Sequence, residues 1–80
     1  MELADMFLVI GEKCQELKEL GCHPFFEYSG HVNFFSVRCY RNWSNNHVEA
    51  DFWISSFDFE SHGDFIEEFL KKSNSLIALL

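Results

Sequence analysis

Seven carboxylates, Glu49, Asp51, Asp58, Glu60, Asp64, Glu67 and Glu68, fall within residues 42–70, a stretch with no lysine and no arginine. Paired carboxylates could perform acid–base catalysis, or they could meet the basic side chains of another protein. Catalysis lacks a local signature. Ser55, Ser56, His62 and Asp64 lie close in sequence, but they bridge a strand end and a helix start, where Ser and Asp serve as caps. The four glycines form no phosphate-cradling loop. Cys22, His23, His31 and Cys39 offer soft ligands at spacings that match no common zinc framework, and buried thiols are the expected fate of Cys14 and Cys39. The sequence therefore predicts no catalytic, cofactor or metal site, and no disulfide. What remains is an acidic surface interleaved with aromatic rings.

The totals narrow the choice. Eighty residues make one domain, 1–80, with 48% apolar residues and ten Phe to fill a single modest core. Residues 42–70 alone carry the whole net charge of −7. A field of that sign repels phosphate backbones, which argues against direct nucleic-acid and anionic-membrane binding and favours a basic partner. An odd count of three cysteines, no basic leader and a tail, "SLIALL", too short to cross a bilayer lead to the expectation of a cytoplasmic protein with reduced thiols.

The elements that must hold these residues read as helix, three strands, helix. Leu3, Met6, Phe7, Ile10, Cys14 and Leu17 recur at spacings of three and four, one side of an amphipathic helix that Gly21 ends before Pro24. Gly11 within it costs about 1 kcal/mol relative to alanine and would permit close packing. Ser29-Gly30 reads as a two-residue hairpin turn, and Val48 to Ser55 alternates strictly as a strand. In "SHGD", Ser61 caps the last helix with Asp64 reaching back, and Phe65, Ile66, Phe69, Ser73, Leu76, Ile77 and Leu80 keep its period. Glu67–Lys71 and Glu68–Lys72 are favourable ion pairs along it, while "KSNS" is a place where it could fray. The predicted fold is α+β: an αβββα chain whose three-stranded antiparallel meander packs against two helices in two layers.

Register follows from the faces. Opposed residues must point the same way, so Phe25 should face Phe34 and Tyr28 should face His31. In the second hairpin Cys39 should face Val48, Val37 Ala50, Arg38 Glu49, Ser36 Asp51 and Phe34 Trp53. His31 and Cys39 then point to the core. The expectation is a row, Phe25–Phe34–Trp53, crossing the sheet on the face opposite that core. It is either covered by a helix or exposed as a patch anchored by Trp53.

A small acidic αβββα protein with an aromatic sheet resembles phage-encoded anti-CRISPR inhibitors, notably some directed at type II effector nucleases. The resemblance rests on layout and charge across most of the chain, so no residue is carried over by motif. It implies an inhibitor in the host cytoplasm that offers carboxylates to arginines which otherwise hold phosphates. The expected function is an acidic protein-binding module for a basic, nucleic-acid-handling partner such as a CRISPR effector nuclease. Its expected binding residues are Glu49, Asp51, Trp53, Asp58, Glu60, Phe34 and Phe25. An immunity protein for a toxic nuclease fits the same features, as does a structural module that self-associates, for instance as a homodimer, through its aromatic face.

Overall fold

The computed structural model describes residues 2–42 and 49–80. The first helix, α1 (Leu3–Glu19), starts where the Glu2 backbone N–H donates to the Asp5 carboxylate at 3.3 Å. It ends because Gly21 takes φ +92°, a conformation that spares glycine the Cβ clash other residues suffer. With Gly21 so placed, the Gly21 N–H donates to the Lys18 carbonyl and the Cys22 N–H to the Leu17 carbonyl, which closes the helix in a Schellman motif. Strand β1 (His23–Ser29) follows at once, then β2 (Phe34–Tyr40) and β3 (Phe52–Ser55). A single 3-10 turn, Ser56–Asp58, leads to α2 (His62–Ala78). The sheet is an antiparallel meander in the order β1-β2-β3.

Both helices lie on one face of this sheet. Phe35, Val37, Cys39 and Phe52 point inward and are buried with Met6, Ile10 and Leu17 of α1 and Phe65, Ile66, Phe69 and Leu76 of α2. Lys13 of α1 ties the helices together at the rim, donating to Glu16 at 2.7 Å and to Asn74 of α2 at 3.0 Å. α2 runs unbroken through "KSNS", because Ser73 lies on its buried side and the apolar period continues to Leu76. The Ser73 hydroxyl has no hydrogen-bond partner there. Ser61 caps α2, accepting from the Asp64 N–H at 3.1 Å. Gly11 faces open space, so it allows no close approach of another element.

The register differs from the expected one in both hairpins. Ser29 faces Phe34, Tyr28 faces Phe35 and Phe25 faces Arg38. The turn is therefore four residues, Gly30 to Asn33, with Asn33 at φ 52° and its N–H donating to the Gly30 carbonyl at 3.3 Å. Asparagine tolerates that left-handed conformation better than most residues. Aromatic packing fits this register: Tyr28 lies 4.7 Å from Phe35, a cross-strand contact that a tighter turn would forfeit, and 5.0 Å from Phe7 of α1. His31 consequently sits exposed in the turn and not in the core.

In the second hairpin Arg38 faces Trp53, Cys39 faces Phe52, Val37 faces Ile54 and Ser36 faces Ser55. The expected partner of Cys39, Val48, lies outside the described residues. Each slip moves the pairing by an even number of positions. Side chains alternate with a period of two, so the residues that remain in the strands kept their faces while their neighbours changed.

Candidate protein-binding face

The row that crosses the sheet opposite the helices is Phe25–Arg38–Trp53, not Phe25–Phe34–Trp53. Neither helix covers it: Trp53 is 63% exposed and Phe25 38%. Arg38 lies between the two rings, its guanidinium carbon 4.8 Å from the Phe25 centroid and 5.0 Å from that of Trp53. Tyr40 adds a third ring at 5.9 Å and meets Phe25 edge-on. Ring faces carry partial negative charge and attract the cation, roughly 0.5–1 kcal/mol per contact where exposed. One hydrogen bond fixes the indole: Trp53 Nε1 donates to the largely buried Ser36 hydroxyl at 3.0 Å. Phe25, Phe26, Glu27, Ser36, Arg38 and Trp53 line a shallow cleft of about 160 Å³.

Phe34 stands apart from this cleft. It is half-buried at the start of β2, packed against Phe57 at 4.6 Å. Phe57, in the 3-10 turn, is 67% exposed and extends the apolar surface at that end. Spacing alone marked neither Arg38, Ser36 nor Phe57. The alternation of β2 does place Ser36 and Arg38 on the outer face, but the expected turn gave them other neighbours.

The acids divide by duty. Asp51 is structural: one carboxylate oxygen accepts from the Arg41 backbone N–H at 2.6 Å and the other from Arg41 Nε at 2.8 Å. Its own N–H donates to the Cys39 carbonyl at 2.8 Å, so this residue closes the β2–β3 connection. Asp51 therefore carries a structural duty that its place among the expected binding residues did not foresee. Glu49 does not face Arg38; it is exposed ahead of β3. Asp58 and Glu60 are exposed on the path from β3 to α2. Glu68 pairs with Lys72 at 3.9 Å, both on α2 and away from the cleft.

The hydroxyls near the strand end are occupied by backbone. Ser55 Oγ accepts from the Phe57 N–H at 3.3 Å, and Ser56 Oγ accepts from the Phe35 N–H at 2.9 Å. The ring of His62 packs edge-on against Phe35 at 5.3 Å. Cys14, Cys22 and Cys39 are free thiols. Burial, followed by the neighbouring Cys22, pushes the Cys39 thiol up to about 12, and burial pushes Cys14 up to about 11. Neutral thiols of that kind are poor nucleophiles and poor metal ligands. Among the described residues no three His, Cys, Asp or Glu side chains are arranged to hold a metal ion, and no helix is long and apolar enough to cross a membrane.

Comparison with known proteins finds no counterpart: no family model, no curated protein and no solved structure matches the chain.

Proposed function

We propose that the protein works by binding another protein through the outer face of its sheet, with Trp53 as the apolar anchor and exposed acids selecting a basic surface. The observation that carries this reading is the exposed Trp53 beside Arg38 and Phe25 on a sheet face that neither helix covers. Tryptophan and arginine are the side chains most often found at the energetic centre of protein interfaces. Glu27, Glu49, Asp58 and Glu60 supply exposed carboxylates in a chain of net charge −7. Such a surface suits the basic cleft of a nucleic-acid-handling protein, where fixed carboxylates pair with the arginines that otherwise hold phosphate. The biological role that follows is inhibition of that partner by occupying its cleft.

The test is affinity capture from the source cell, with mass spectrometry of the captured proteins, at two salt concentrations. Wild-type bait should retain a basic protein, less of it at the higher salt. Trp53→Ala bait and Asp58→Lys/Glu60→Lys bait, each first checked for an intact fold, should lose it. An unchanged set of captured proteins across all three baits would overturn the reading. A chain that doubles in size in solution, and needs Trp53 to do so, would mean that the face closes on a second copy.

A further inference from the structure

Arg38 differs from the other cations of this chain in being half-buried among rings. Lys13, Arg41 and Lys72 each hold a carboxylate within the fold, and Lys18 and Lys71 are exposed on the two helices. Among the described residues no carboxylate lies within ion-pair distance of Arg38, although the chain has 13 acids. Rings occupy its surroundings instead, and they do so at both sides. A guanidinium holds its five N–H donors in its own plane, and contact with a ring face need not use any of them. The hydroxyl that lines the cleft, on Ser36, already accepts the Trp53 indole. Arg38 is also the only lysine or arginine on the three strands.

We propose that the cleft between Phe25 and Trp53 receives a single aspartate or glutamate side chain of the partner, which accepts hydrogen bonds from the Arg38 guanidinium. This rests on the outer face being the docking face, and it adds a rule for the partner: a basic surface with one acid at the centre of the contact. The chemistry is specific to a lone carboxylate. One guanidinium matches one carboxylate bidentately, whereas a phosphate chain would bring many charges toward one cation and a field of −7. The cleft, about 160 Å³, holds on the order of five waters, room for the end of one side chain. Glu27 lines the same cleft and weakens the site for an anion. Its removal should therefore strengthen binding, the opposite of what a cation-binding cleft would show.

Two blocked dipeptides serve as probes, acetyl-Phe-Glu-amide and acetyl-Phe-Gln-amide, which differ only in one carboxylate. They are titrated into ¹⁵N-labelled protein at pH 7.5 while the Arg38 Nε–H and Trp53 Nε1–H resonances are followed. The glutamate peptide should give saturable shifts at both, with binding at least about threefold tighter than the glutamine peptide. Arg38→Gln should remove that difference, and Glu27→Gln should enlarge it. Equal responses to the two peptides, no saturable shift up to roughly 10 mM, or tighter binding of acetyl-Phe-Lys-amide would each overturn the proposal. The wild-type comparison decides the matter even if a variant fails to fold. It also needs no captured partner, so its failure is separate from failure of the broader reading.

Discussion

The inner and outer faces of this sheet are made from alternate residues of the same three strands. Inward, Phe35, Val37 and Cys39 are completely buried beneath two helices. Outward, one residue along, Ser36 and Arg38 support rings that solvent reaches. The inner face is held by area removed from water, which tolerates exchange of neighbours as long as volume is filled. The outer face is held by particular partners: a guanidinium between two rings and an indole N–H on one hydroxyl. A fold can thus spend its apolar bulk on one side and leave the other side organised but open.

The sharpest way to break this contrast is to truncate one ring on each face. Phe35→Ala should cost about 3–5 kcal/mol, a large part of the roughly 4–12 kcal/mol expected for a domain of this size. Trp53→Ala should cost about 1 kcal/mol or less, since the loss is one indole hydrogen bond and one exposed cation contact. Urea midpoints at unchanged slope measure both, and equal losses would erase the distinction between the faces.

The second pair separates acids that hold the sheet from acids that only look outward. Asp51→Ala removes two hydrogen bonds to Arg41 and should cost about 1–2 kcal/mol by the same measurement. Asp58→Lys should change stability by less than about 0.5 kcal/mol. A neutral Asp51→Ala would return that residue to the set available for a partner.

The thiols test the dryness of the inner face. Cys39 is raised to about 12 and Cys14 to about 11, while an unfolded thiol ionises near 9.0. Above that pH the folded state holds protons that the unfolded state has lost, so stability should fall as pH rises from about 9. The ceiling is about 1.4 kcal/mol per pH unit per thiol, and Cys39→Ala should flatten the slope between pH 9 and 10.5. A slope that Cys39→Ala leaves unchanged would mean that water reaches Cys39.

A stabilising change is expected on the solvent side of α1. Gly11→Ala meets nothing within 4 Å and should stabilise by about 0.5–1 kcal/mol. A loss of stability there would show that something does pack on that side.

These elements also show what the sequence could disclose. Faces were legible because alternation is a local property: Arg38, Trp53 and Phe25 all point outward as their positions require. Register was not legible, because it goes with side-chain packing across the strands, such as Tyr28 on Phe35, which the turn residues themselves do not encode. The error fell on the centre of the candidate site, replacing Arg38 by Phe34. Both helices, the Gly21 stop and the Ser61 cap followed from spacing and capping chemistry. The duty of Asp51 did not, since its partner Arg41 is ten residues back, across a connection whose path no local rule sets.

A three-stranded meander has two rims. β3, at four residues, offers little backbone for another strand to pair with, but β1 runs for seven with no strand on its far side among the described residues. Two features blunt that rim: Pro24, which has no N–H to offer, and the exposed Glu27 near its middle. The remaining protection is collective, since like-charged copies of net charge −7 repel one another before their rims can meet. That protection vanishes near the isoelectric pH of about 4.8. Mild acid therefore leaves the folded chain least soluble and lets the rim of β1 pair with that of a second copy.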